Sequence, residues 1–243
     1  MEKITLEKKE KLDFRASEAY KSLRTNLQFC GNEIKVIALT SCTPNEGKTS
    51  VAFYLAESLA ESGKKVLFID ADLRKSVLVG RYGVGKINGG LTEYLAGQRE
   101  TEQVIYQTEI DGMYMLFSGA IAPNPSELLG NHRFEALLQS AREQYEYIII
   151  DTPPLGSVID SAVVAQFVDG VIMVIANNTI SYKFAQNVKK QLEKSNVKIL
   201  GAVLNKVPME KKGYGNYYGN YYGYGKYYGD YGNYGSKEAK VEG

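Results

Sequence analysis

The sequence predicts an α/β fold: a mainly parallel β-sheet with helices on both faces, followed by a disordered C-terminal tail rich in Tyr and Gly. Two observations predict the sheet. Short apolar runs without polar alternation, such as IKVIALT (34–40) and KVLFIDAD (65–72), read as strands buried on both sides. Stretches of helical spacing separate these runs, and strands alternating with helices favour parallel pairing. A third observation predicts the tail. After Val207 the composition shifts to Gly, Tyr and Asn, which supply too little aliphatic area to offset the entropy of ordering.

In chain order, ASEAYKSLRTNLQF (16–29) places Ala16, Ala19, Tyr20, Leu23 and Leu27 on one face, which predicts an amphipathic helix starting near Ala16 or Ser17. The strand at 34–40 leads to a helix over 49–62 that Gly63 ends. After the strand at 65–72, further strands are expected at 113–117, 146–151, 170–175 and 198–204. Helices are expected near 131–144, 158–167 and 181–195. These elements divide the chain into an N-terminal segment with one helix (1–33), a core domain (34–208) and a tail (209–243).

A chain of 243 residues suits one large domain plus a tail. Its 29 basic and 28 acidic residues leave a formal charge of +1, which argues against a nucleic-acid partner. Apolar runs such as Val171–Ala176 fall far short of the ~20 residues that cross a bilayer. The start, MEKITLEKKEKLDF, lacks the apolar stretch and cleavage site of a signal peptide, so a cytosolic location is expected. Cys30 and Cys42 show neither a disulfide framework nor metal-ligand spacing, consistent with a reducing compartment.

In a parallel sheet the strand carboxyl ends share one edge, and ligands bind there. At that edge lies TSCTPNEGKTS (40–50), between a strand and a helix. Backbone N–H groups at a helix N-terminus suit phosphate oxygens, so Thr43, Pro44, Asn45, Glu46, Gly47, Lys48, Thr49 and Ser50 form a candidate nucleotide loop of the P-loop NTPase kind. Lys48 would neutralise the β- and γ-phosphates, and Thr49 would offer its hydroxyl to Mg²⁺. The strict pattern begins with Gly, where this chain has Cys42.

Two more strands end at the same edge with acids: Asp70 and Asp72, expected on one strand face, and Asp151. A lone acid after a strand is often a turn former. Three acids beside a phosphate loop suit ATP with Mg²⁺, which takes one or two carboxylates, phosphate oxygens and water. Thr49 and Asp151 would hold the metal with Asp72 close by, while Asp70 would orient or deprotonate the attacking group. Arg74 could reach phosphates or pair with an acid. His132, at a helix start, reads as surface structure.

Cys42–Ser50, FIDADLRK (68–75) and IIIDTPP (148–154) resemble the Walker A, A′ and B motifs of the bacterial tyrosine kinases that control capsule and exopolysaccharide synthesis. SEAYKSLRTN (17–26) is similar to that family's oligomerisation segment, and SGAIAPNPSELL (118–129) to its middle signature. The resemblance implies transfer of phosphate from ATP to protein tyrosine, with Asn205 near the adenine. It also implies a ring of subunits held through Glu18, Lys21 and Arg24, other protein substrates, and an opposing tyrosine phosphatase. A transmembrane polysaccharide co-polymerase would serve as adaptor and hold the kinase at the inner face of the membrane. Two departures stand out: Asn45 replaces a family Gly, and Lys21 replaces an Arg, losing its bidentate fork.

Residues 213–235 contain ten tyrosines, Tyr214, Tyr217, Tyr218, Tyr221, Tyr222, Tyr224, Tyr227, Tyr228, Tyr231 and Tyr234, spaced by eight glycines. Alone this composition reads as a low-complexity sticker. It also resembles the family's autophosphorylation cluster, and beside an ATP site its hydroxyls are candidate acceptors, since a coil of ~25 residues spans on the order of 25–30 Å and reaches a neighbouring subunit. Each phosphate adds roughly −1.5 to −2 charges, so phosphorylated tails should repel and subunits separate. Two rivals remain. A switch ATPase of the cell-division and partition type would carry Lys at the position of Thr43 and no Tyr cluster. An inactive nucleotide sensor would lack the Lys48, Thr49 and Asp set present here.

Overall fold

In the computed structural model, which describes residues 1–208, every apolar run singled out in the sequence forms a strand. Residues 209–243, and with them the expected tail and its ten tyrosines, lie outside the described residues. Met1–Lys206 form one unit, and Val207 begins a second. The chain runs β1 (Glu2–Lys3), α1 (Phe14–Gln28), β2 (Val36–Ser41), α2 (Lys48–Glu61), β3 (Val66–Asp70), α3 (Leu78–Tyr82), α4 (Leu91–Leu95), α5 (Thr101–Val104) and β4 (Ile105–Gln107). It continues with β5 (Met113–Leu116), α6 (Pro125–Leu129), α7 (His132–Gln144), β6 (Tyr147–Asp151), α8 (Asp160–Val164), β7 (Gly170–Ala176), α9 (Tyr182–Glu193) and β8 (Ile199–Asn205).

The strands form one sheet in the order β1-β4-β5-β3-β6-β2-β7-β8, with β4 and β5 its antiparallel pair. Alternate residues of each central strand feed two separate cores, as a sheet covered on both faces requires. Ile37, Leu39 and Phe68 pack under α1, α2 and α3. Val36, Ala38 and Leu67 pack under α4, α7, α8 and α9. In the first core Phe53 stacks on Tyr82 with ring centroids 4.1 Å apart and meets Phe68 edge-on at 6.2 Å. Truncating Phe53 to Ala would cost about 3–5 kcal/mol.

Three expectations need correction. The first helix starts at Phe14, because the Asp13 side chain caps it by accepting from the Ala16 amide at 2.7 Å. Ala19 is exposed, while Tyr20, Leu23 and Leu27 face the core beneath α2. The helix expected over 158–167 divides into α8 and a single 3₁₀ turn, Ala165–Phe167. The short elements between residues 76 and 112 escaped notice because three to five residues are too few to display a period.

The N-terminal segment wraps the α2 face. β1 pairs with β4, Leu6 is buried, the Lys8 amide donates to the Tyr82 carbonyl, and Lys9 forms an ion pair with Glu57. α1 then packs on α2. Arg24 turns inward, its Nη1 donating to the Ser58 carbonyl at 2.7 Å.

Candidate active site

β3, β6 and β2 lie side by side, so Asp70, Asp151 and the loop after Ser41 reach the carboxyl edge together. The loop enters α2 through Gly47, whose φ of 87° is left-handed. Gly suits this position: an added Cβ would lie 2.1 Å from Asn205 Nδ2 and displace that side chain. Asn45, in place of the family Gly, also takes positive φ, 65°. Helix geometry leaves the first N–H groups of α2 without intrahelical partners, at the positive end of its dipole. Anion binding is favoured there.

Glu46 is almost fully buried and braces the loop. Its carboxylate accepts from the Thr43 amide at 2.7 Å and the Ala176 amide at 3.2 Å. The Thr43 amide is therefore engaged within the loop, and the Glu46 carboxylate faces the protein. Pro44 and Asn45 are exposed at the loop tip. The buried Cys42 thiol is pushed up to about 11 by burial and then by the Glu46 charge, so it stays neutral and fills space where the strict pattern has Gly.

Asp70 and Asp151 are register partners on β3 and β6, and each is 1% exposed. Lys48 Nζ lies 2.5 Å from Asp151 Oδ1 and 3.3 Å from the Thr49 hydroxyl. Burial pushes the Asp70 carboxyl up to about 7, and the Asp151 charge adds to the rise. Hydrogen bonds from Ser76 and from the Asp72 amide offset only part of it. The Asp151 carboxyl is also raised by burial, despite its ion pair. Two neighbouring buried carboxylates with one ammonium, paired to Asp151, form a donor set that fits a divalent cation. Among the described residues no three His, Cys, Asp or Glu side chains converge on one point. A few carboxylates and a hydroxyl beside a phosphate-binding helix end suit Mg²⁺, which keeps water and phosphate ligands.

β3 ends at Asp70, so the expectation that Asp70 and Asp72 share one strand face is corrected. Asp72 sits half-buried in the following turn and accepts from the Arg74 and Lys75 amides at 3.3 and 3.0 Å. That turn is anchored from outside. Arg74 forks onto the buried Asp160 at 2.7 and 2.9 Å, and the Ser126 hydroxyl donates to the same carboxylate at 2.5 Å. Burial acts against the Asp160 charge, but the bonds from Arg74 and Ser126 outweigh it and hold the carboxyl below its ordinary range. The Ala122 amide also donates to the Leu73 carbonyl at 3.2 Å, so the 118–129 signature supports the acid-bearing turn.

The resulting cleft, about 320 Å³, is lined by Lys48, Asp70, Asp72, Asp151, Arg81 and Pro154. A larger cleft of about 410 Å³, between the N-terminal segment and α2, contains none of the strand-end acids. Sequence reasoning missed Ser76, Arg81, Ser126 and Asp160 as site residues. Ser126 lay within a quoted signature; the others carried no local signal. Arg81 donates to the Ser50 hydroxyl at 2.8 Å. Asn205 Nδ2 donates to the Glu46 carbonyl at 2.9 Å. His132 is exposed at the start of α7 and does not line the cleft. Glu18 and Lys21 pair at 2.7 Å on the exposed face of α1.

A parallel sheet with a phosphate loop and strand-end acids defines a P-loop NTPase-like protein. Comparison agrees: the family model described as an AAA domain matches residues 34–201. The tyrosine-protein kinase CpsD of Streptococcus agalactiae is 40% identical over 207 residues, covering 85% of this chain and 90% of that protein. The kinase domain of Escherichia coli tyrosine kinase ETK superposes with a TM-score of 0.74 and 36% identity, covering 82% of this chain and 80% of that one. The septum site-determining protein MinD of Pyrococcus horikoshii, complexed with Mg-ADP, superposes less well: TM-score 0.62 and 27% identity, over 73% of this chain and 72% of that one. The chain belongs to the bacterial tyrosine-protein kinase family.

Proposed function

We propose that this tyrosine kinase transfers the γ-phosphoryl group of ATP to tyrosines of its own C-terminal cluster, one subunit acting on the tail of the next. In this reading the reaction regulates capsular or extracellular polysaccharide synthesis. The observation that carries it is the convergence of Lys48, Asp70 and Asp151 on one edge beside the N-terminus of α2.

The loop amides and α2 dipole hold the phosphates, and Lys48 neutralises charge as it builds on the β- and γ-phosphate oxygens. Thr49, Asp72 and Asp151 would hold Mg²⁺, which supplies further positive charge to those oxygens. A phenol of pKa ~10 is neutral at pH 7 and must shed its proton as it attacks. Asp70, with its carboxyl near 7, is poised to accept that proton. The phenolic oxygen bonds to the γ-phosphorus, the bond to the bridging oxygen breaks, and ADP leaves with that electron pair.

No helix among the described residues is long and apolar enough to cross a membrane, so in this reading a transmembrane co-polymerase adaptor brings the kinase to the inner face. A ring held through α1 presents each tail to the next site, and a tyrosine phosphatase resets it.

Mass spectrometry of protein incubated with Mg-ATP tests this, with Lys48→Met and Asp70→Asn as controls. Phosphate on Tyr214–Tyr234 of the unmodified chain alone is the expected result. ATP consumption without phosphotyrosine would instead identify a switch ATPase, and neither would identify a nucleotide sensor. Mixing active chains truncated after Pro208 with full-length Lys48→Met chains tests transfer between subunits: the full-length tails should gain phosphate.

A further inference from the structure

Two successive side chains at the end of β8 bond to the backbone of the phosphate loop. Asn205 Nδ2 donates to the Glu46 carbonyl at 2.9 Å, and Lys206 Nζ donates to the Asn45 carbonyl at 2.6 Å. Resting on the nucleotide site described above, we propose that Asn205 and Lys206 are positioning residues, a latch that aims two loop amides at the phosphates.

The argument is one of peptide geometry. In a planar trans peptide the N–H of one residue points opposite to the C=O of the residue before it. Fixing the Asn45 carbonyl therefore fixes the Glu46 N–H, and fixing the Glu46 carbonyl fixes the Gly47 N–H. Both carbonyls are drawn toward β8, so both N–H groups are turned away from it. Gly47 accepts this because it has no Cβ to strike Asn205.

The backbone turns just past the end of β8 to make the latch. Successive side chains of a strand point to opposite faces, so Asn205 and Lys206 could not both reach the loop from regular β backbone. Lys206 breaks the alternation with a left-handed φ of 56°, a conformation that costs a lysine about 1–2 kcal/mol. Neighbouring strands complete the hold. Asn205 is the register partner of Ala176, whose amide binds the Glu46 carboxylate. The loop is thus gripped by side chains from β8 and by the end of β7. Lys206 is also the last residue of the nucleotide-binding unit, so the latch sits where the chain departs toward its tail.

Calorimetry on full chains with Mg-ADP and with inorganic tripolyphosphate, and saturation-transfer NMR with adenosine, separate this role from adenine contact. Asn205→Ala combined with Lys206→Ala is expected to weaken Mg-ADP and tripolyphosphate roughly tenfold or more while leaving adenosine unchanged. Lys206→Gly relieves the left-handed strain and removes the ammonium. It is expected to keep or raise the melting temperature without ligand and still lose phosphate affinity, which a merely structural role would not produce. Unchanged tripolyphosphate affinity in these variants overturns the latch, as does loss of adenosine binding alone. If the unmodified chain binds neither Mg-ADP nor tripolyphosphate, the nucleotide site itself fails and the latch with it.

Discussion

Lys48 Nζ lies 2.5 Å from Asp151 Oδ1, and both side chains are buried beneath the phosphate loop. In the proposed reaction the same ammonium meets the β- and γ-phosphates. Without nucleotide it pairs with Asp151; in the proposed reaction it would neutralise the ligand.

Lys48→Met should therefore damage two properties at once. Phosphotyrosine formation is expected to fall roughly 100- to 1,000-fold, the scale of removing one preorganised electrostatic contact. Stability is expected to fall by about 3–5 kcal/mol, because Asp151 is left buried without its cation. Urea unfolding measures the second effect. Adding Asp151→Asn should recover stability without recovering activity, and an unchanged unfolding midpoint in Lys48→Met would show that the pair does not stabilise the fold.

Asp70 predicts a pH dependence of the nucleotide-free protein. Its folded carboxyl stands at about 7, above the ordinary ~3.9 of an unfolded Asp. Folding thus favours the protonated form, and that contribution is complete below pH ~4 and lost as pH rises through about 7. Asp70→Asn removes the buried charge. The variant is expected to melt ~5 °C higher than the unmodified chain at pH 8 and to match it near pH 4. A variant less stable at pH 8 would mean that Asp70 is better solvated than its burial indicates.

Gly47→Ala tests the close approach of β8 to the loop. The substitution forces a Cβ into left-handed backbone 2.1 Å from Asn205 Nδ2. An expected stability loss of about 1–3 kcal/mol should accompany a larger loss of nucleotide affinity, because Asn205 must move and the loop with it. Differential scanning fluorimetry with and without Mg-ADP reads both. A normal ligand-induced shift in the variant would show that the loop tolerates the displacement.

The central strands were legible because burial on both faces writes itself as uninterrupted apolar runs, and the strand-end acids follow from parallel pairing. Lys48, Asp70 and Asp151 converge for that reason. Asn45, which replaces a family Gly, still takes the left-handed turn, as an Asn can. Asp72 was placed wrongly because alternation was extended two residues beyond the end of β3. The bracing role of the Glu46 carboxylate, which reaches a β7 amide 130 residues away, carried no signal in the sequence. Asn205 bonds the loop across 159 residues. Bonds of such separation leave no local pattern, and the inward turn of Arg24 onto Ser58 was hidden for the same reason.

The Arg74–Asp160 fork explains how an exposed turn can hold Asp72 in place. Asp160 is fully buried and Arg74 is 41% exposed, so solvent screens one partner only. Arg74→Ala is expected to cost about 2 kcal/mol, less than a fully buried pair, while Arg74→Lys keeps the charge and loses the fork. The Asp160 carboxyl is held below its ordinary range, so the pair's contribution is present above the unfolded pKa and fades as pH falls through the lower folded value. Unmodified and Arg74→Ala chains should therefore differ in melting temperature at pH 7 and converge in strong acid. Because Asp72 accepts from the Arg74 and Lys75 amides, freeing this turn should also raise the Mg²⁺ concentration needed for half-maximal phosphorylation. Arg74→Lys should show that Mg²⁺ effect with most of the stability retained. An unchanged Mg²⁺ requirement in both variants would leave Asp72 positioned by its own turn alone.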